Sequence, residues 1–198
     1  MGVLAALAVM GGPSRVCAQI TDEPAPPFPD PAKFSHGLYA EGEVGAVSFL
    51  GRAGDKMSTG VAVGARLGYE VFRWFAIQLH ALGSTHQGSF ENMPEAGQLM
   101  QLYQMTAEGK LTLTYRRVSV FGAGGGGIVR MSSNLLATVG LLKDPTSLNS
   151  VAFGGGGGID WHTLNRHFSL GAQIGFLLLA DVRESGLLST TLYLRYTF

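Results

Sequence analysis

Residues 186–198, Gly-Leu-Leu-Ser-Thr-Thr-Leu-Tyr-Leu-Arg-Tyr-Thr-Phe, alternate with a period of two to the last position. Thr190, Leu192, Leu194, Tyr196 and Phe198 share one face, while Ser189, Thr191, Tyr193, Arg195 and Thr197 share the other. Side chains leave a strand on opposite sides at successive residues, so this stretch reads as a strand with one apolar and one polar face. A helix would need apolar residues three and four apart, and no long segment of the chain carries that stripe.

The same alternation recurs upstream. Candidate strands occupy residues 37–49, 59–70, 74–84, 99–115, 118–130, 150–162 and 167–181, which with 186–198 makes eight. In 99–115, Leu111, Leu113 and Tyr115 oppose Thr106, Glu108, Lys110, Thr112 and Thr114. The links are in turn long and short. Residues 50–58, 85–98 and 131–149 are loops, whereas 71–73, 116–117 and 163–166 are tight connections. The last loop, 182–185, is short. Each strand is long enough to cross a bilayer when tilted. An open eight-stranded sheet would leave two bare edges, and in lipid only closure satisfies every backbone group. The expectation is an all-β, eight-stranded antiparallel up-and-down transmembrane barrel over residues 37–198.

Composition agrees with one face in lipid. Charged residues are scarce at 14%, and 29 of 198 residues are glycine, about twice the usual share. The 14 basic and 14 acidic residues balance, without the clustered basic excess of a nucleic-acid binder. Tyr69, Trp74, Phe75, Tyr115, Trp161 and Phe168 lie beside the short turns, and Tyr196 and Phe198 beside the C-terminus. Together they form one interfacial girdle on the periplasmic side.

Ahead of the strands, residues 2–12 are an apolar run too short to span a bilayer as a helix. Val16-Cys17-Ala18 follows, so residues 1–18 read as a signal peptide cut after Ala18, although the usual basic n-region is missing. Cys17 as an acylated residue would need Gly, Ala or Ser where Val16 stands. Cleavage leaves a mature chain without cysteine, hence no disulfide framework. Residues 19–36 are a Pro-rich periplasmic tail, with five of the eight prolines between 21 and 33. It is a spacer, or a docking peptide around Phe28.

The polar faces place Glu41, Glu43, Glu70, Glu108, Asp160 and Asp181 toward the interior with Arg66, Lys110 and Arg195, and with His80 and His162 nearby. Eight strands enclose room only for side chains. Buried charges persist when paired, so the expectation is a plugged lumen laced by salt bridges. A proton or ion path along the carboxylates is the functional alternative.

Two glycine runs, 122–127 (interrupted by Ala123) and 154–158, fall on consecutive strands. Gly122, Gly124 and Gly127 match G-x-G-x-x-G, but no helix follows, which excludes dinucleotide binding. For the inward glycines the expectation is that Tyr39, Tyr193 and Arg195 from the opposite wall fill the vacated space. For the outward ones, Gly122, Gly124, Gly126, Gly155 and Gly157, either that filling or a smooth wall for docking another membrane protein accounts for them. His162-Thr163 and His167-Phe168-Ser169 match no hydrolase signature, and His162 and His167 have no further ligands in sequence for a metal. No cofactor is implied.

The segment from Gly37 to Phe198, ending LYLRYTF, resembles the small OmpA/OmpX-like outer-membrane barrels of Gram-negative bacteria. That resemblance makes Leu194, Tyr196 and Phe198 an assembly signal for the barrel-assembly machinery. It implies location in the outer membrane, with its lipids as surroundings. The Gly-rich barrel with a Pro-rich tail also looks like the outer-membrane barrels of adventurous gliding-motility machineries. The resemblance implies a non-enzymatic structural or anchoring subunit of an envelope complex, contacting partners through the tail, the glycine wall and the loops 85–98 and 131–149. The alternatives are a narrow pore, a surface adhesin, or a secreted lipocalin-like binder of a small ligand.

Overall fold

The computed structural model describes residues 37–55, 57–88, 99–132, 149–163, 167–182 and 185–198. The signal peptide and the Pro-rich tail expected from sequence lie outside the described residues, as does most of the loops 85–98 and 131–149.

Eight strands follow one another: β1 (Leu38–Gly51), β2 (Gly60–Phe72), β3 (Phe75–Gln87), β4 (Leu99–Tyr115), β5 (Val118–Met131), β6 (Asn149–His162), β7 (Phe168–Leu179) and β8 (Ser185–Thr197). Each pairs antiparallel with its sequence neighbour, and β8 pairs back onto β1 to close the barrel. The expected strands therefore form, 99–115 with its ends unchanged and the others with ends shifted by at most three residues. The seam is regular from Tyr39↔Thr197 to Gly51↔Ser185. One irregularity interrupts the sheet between Glu70 and Phe72, just before the β2–β3 turn.

The exterior is apolar. Val44, Val63, Leu79, Val120, Ile159 and Leu192 are all more than half exposed on the outer wall, while Glu41, Arg66, His80, Lys110, Asp160 and Arg195 are buried inside. Water would penalise this inverted arrangement, and hydrocarbon rewards it. The described strands thus form a closed barrel whose outer face suits hydrocarbon, with exposed Tyr69, Trp74, Tyr115 and Trp161 at the end that carries the short turns.

The interior has two storeys. Toward the turns it is charged. Toward the loops it is a packed apolar cluster that includes Val47, Phe49, Leu82, Met100, Leu102 and Met131. The expectation from sequence was a plugged lumen laced by salt bridges, with no apolar storey. The apolar storey departs from that because β1, β4 and β5 carry apolar residues at inward positions near the loops, where the polar-inside pattern reverses.

The inward glycines fall into two settings. Tyr39 covers Gly68 and Tyr193 covers Gly171, each its direct cross-strand partner. Phe121 covers Gly158 in the same way. Within the runs, a Cβ on the inward Gly125, Gly127, Gly154 or Gly156 would strike the carbonyl oxygen of an adjacent strand. Those glycines let neighbouring strands close up and curve at this wall, while Tyr193 reaches it edge-on to Phe121 at 6.3 Å.

Candidate functional site: the charged storey of the lumen

The charged storey is built by register. Glu41 stands directly opposite Arg66 on β2 and Arg195 on β8, so one carboxylate lies between two guanidinium groups. Arg66 Nη1 donates to Glu41 Oε2 at 3.2 Å, and its Nη2 lies 2.7 Å from Glu43 Oε2. Arg195 Nε donates to Glu41 Oε1 at 2.7 Å, with Nη2 2.6 Å from the same oxygen. Arg195 also reaches Asp160 at 3.5 Å and, more loosely, Glu70 at 3.9 Å.

The next row adds His80. Its Nε2 meets Glu43, and its Nδ1 lies 3.2 Å from Glu108 Oε1. A neutral imidazole carries one N–H, so only an imidazolium donates to both carboxylates. Arg66 Nη2 lies 3.4 Å from the same Nε2, and both groups approach Glu43. Glu108 further accepts from Gln78 Nε2 at 2.6 Å and the Thr106 hydroxyl at 2.7 Å. The Tyr39 hydroxyl donates to Gln78 at 2.7 Å.

On the opposite wall, Lys110 Nζ donates to Asp160 Oδ2 at 3.4 Å and sits 3.6 Å from the centre of the Phe121 ring. The Tyr193 hydroxyl donates to Asp160 Oδ1. Buried ions that find both an opposite charge and hydrogen bonds recover much of their desolvation cost.

Glu41, Glu43, Arg66, Glu70, Glu108, Lys110, Asp160 and Arg195 thus come together in one connected cluster. Asp181 does not join it. β7 ends at Leu179, and Asp181 in the following turn accepts from the Val151 amide at 3.3 Å. Sequence reasoning missed the parts played by Gln78, Thr106 and the tyrosine hydroxyls. The parity of β3 and β4, which puts even positions inside, was the available signal.

The other candidates resolve separately. His162 Nε2 lies 2.7 Å from Ser119 Oγ, which in turn lies 2.8 Å from Thr114 Oγ1. His167 Nδ1 donates to the Thr197 carbonyl at 2.9 Å, while Ser169 is buried in the lumen, so the two do not form a reacting pair. A serine–histidine contact unforeseen from sequence joins Ser84 Oγ and His86 Nε2 at 2.8 Å. His86 Nδ1 donates to the Ser58 carbonyl at 3.0 Å, which fixes the tautomer. Both side chains are buried and His86 lies edge-on to Phe49, so the pair ties residue 58 to β3 within the apolar storey. Among the described residues, no group of three or more His, Cys, Asp or Glu is arranged to hold a metal ion.

On the outside, Gly122 pairs with Gly157 and Gly124 with Gly155, which makes a smooth strip across β5 and β6. A Cβ at Gly122 or Gly124 meets nothing closer than 3.6 Å, whereas one at Gly155 would lie 2.7 Å from the Ala123 carbonyl oxygen. Leu194 and Tyr196 point outward, and Tyr196 packs edge-on against Phe198 at 5.0 Å.

An eight-stranded closed barrel with an apolar exterior matches solved structures over most of its length. Neisserial surface protein A superposes with a TM-score of 0.59 at 14% identity, covering 82% of this chain and 97% of that one. The fold is that of the small outer-membrane barrels. The attachment invasion locus protein of Yersinia pestis, solved with a heparin analogue, gives 0.49 at 13% identity, covering 82% and 99%. The outer-membrane enzyme PagL gives 0.45 at 11% identity, covering 81% and 99%. No family model and no curated protein matches the chain. At such identities the likeness extends to architecture.

Proposed function

We propose that this barrel is a non-enzymatic structural subunit that anchors or stabilises an envelope protein assembly in the outer membrane. The observation that supports it is the filled interior. Cross-strand ion pairs occupy one half and packed apolar side chains the other, so what a partner meets is the outside. That filling also speaks against a narrow pore and against a lipocalin-like cavity. The outward glycine strip over β5 and β6 offers close approach to another membrane segment, in the way small residues do between membrane helices. Leu194, Tyr196 and Phe198 serve assembly in this reading. Nothing in the barrel supports the narrower resemblance to gliding-motility barrels, and the role stated is the general one.

The test is co-purification from detergent-solubilised membranes. Wild-type barrel should retain defined envelope proteins. Gly122→Leu with Gly124→Leu, both at positions open to a side chain, or removal of residues 21–33, should release them while the heat-dependent gel shift of a closed barrel persists. Unchanged recovery from these variants would refute the strip and the tail as contacts. An adhesin would instead lose attachment on removal of residues 131–149.

A further inference from the structure

The chain is neutral overall, but its short turns are purely basic. The three short turns carry Arg73, Arg116, Arg117 and Arg166 and no acidic residue. The loops at the other end carry Asp55, Glu91, Glu95, Asp144, Asp181 and Glu184 against Arg52, Lys56, Lys143 and Arg183. Arg166 lies outside the described residues. Among the described residues, no carboxylate pairs with Arg73 or Arg116.

The height of these arginines is set by their neighbours. Arg73 lies between Phe72 and Trp74, whose rings stack at 5.6 Å on the exposed outer wall. Arg116 follows exposed Tyr115, with its guanidinium carbon 5.4 Å from that ring's centre. Exposed aromatic rings mark the edge of the hydrocarbon, so the guanidinium groups beside them stand at the level of lipid phosphates.

Arg116 gives an independent sign. Its φ is 56°, the only positive φ at a non-glycine residue among the described ones. Hairpin turns favour Gly, Asn or Asp there, because a side chain is strained in the left-handed region. A chain this rich in glycine nevertheless keeps arginine at that position.

We propose that the β2–β3 and β4–β5 turns each bind the head-group phosphate of anionic phospholipid in the periplasmic leaflet, with Arg73 and Arg116 as the respective cations. Guanidinium groups match phosphate geometry through paired N–H donors. The sites stand whether or not the barrel anchors an assembly.

The full-length barrel, purified in detergent, would be offered phosphatidylglycerol and phosphatidylcholine with matched acyl chains. Native mass spectrometry would then count the retained lipid. Wild type should prefer phosphatidylglycerol, and added salt should weaken that preference. Arg73→Gln with Arg116→Gln should reduce it by about 30-fold, from ~1 kcal/mol for each arginine. Arg116→Gly should lower it while making the barrel harder to unfold, which separates the loss of charge from misfolding. Arg130→Gln, at the opposite end of the outer wall, should leave it unchanged. Equal retention of both lipids by wild type, a preference that survives the double substitution, or one that moves with Arg130→Gln would overturn the sites. So would arginine-dependent capture of an acidic peptide without any lipid preference.

Discussion

Arg195 and Glu41 face each other across the seam where the last strand meets the first, and the guanidinium contacts Glu41 Oε1 through both Nε and Nη2. Closure of the barrel and pairing of its central charges are therefore one event. Arg195→Met would leave Glu41 with Arg66 alone and take one cation from Asp160. Removing one partner of a buried pair costs about 3–5 kcal/mol. Urea unfolding in liposomes, followed by tryptophan fluorescence, should show that loss. Adding Glu41→Gln should recover part of it, and a fully additive double variant would show that the two residues are not coupled.

Glycine is required at Gly68 and dispensable at Gly42. A Cβ at Gly68 would lie 2.2 Å from Tyr39 Cζ, whereas one at Gly42 meets nothing within 4 Å. Gly68→Ala should push Tyr39 off its hydrogen bond to Gln78 and cost about 1–3 kcal/mol. Gly42→Ala should stay within about 0.5 kcal/mol of wild type by the same unfolding measurement. Equal effects at the two sites would contradict the covering of Gly68 by Tyr39.

A charge on the outer wall should cost more in the middle of the hydrocarbon than at its edge. Leu192 pairs with Val44 near the middle of both strands, while Leu113 sits close to the β4–β5 turn and is 78% exposed. Leu192→Arg should destabilise the barrel by about 2–4 kcal/mol, and Leu113→Arg by about 0–1 kcal/mol. Reversible folding into lipid vesicles gives both numbers. A flat depth profile would show that water and not lipid surrounds this wall.

In planar bilayers the wild-type barrel should give no discrete conductance steps, and Glu108→Gln should give none either. Glu108 is held by His80, Gln78 and Thr106 below the apolar cluster, so removing its charge opens no route past Met100 and Leu102. Steps whose size changes with Glu108→Gln would establish a pore.

Strand number, order and inward parity were legible because lipid enforces alternation, as in residues 106–115 and 189–198. The cluster's membership was legible for the same reason, since charge on an inward position of a lipid-facing strand has nowhere else to go. The partners were not. That Glu41 lies between Arg66 and Arg195 depends on the register of two pairings, one of them between strands about 150 residues apart. The apolar storey was also hidden, because at Val47, Phe49, Met100 and Leu102 the inward face turns apolar while polar Ser48 and Gln101 lie on the other face, which reverses the polar-inside pattern read elsewhere. Asp181 followed the parity of β7 two residues beyond the point where that strand stops.

The packed cluster beneath the loops separates them from the ion pairs. Substitutions in the surface loops can accumulate without a new charge ever reaching Glu41 or Asp160, because a dry layer intervenes. One end of the molecule is thereby free to diversify in sequence, while the other stays committed to a fixed arrangement of countercharges.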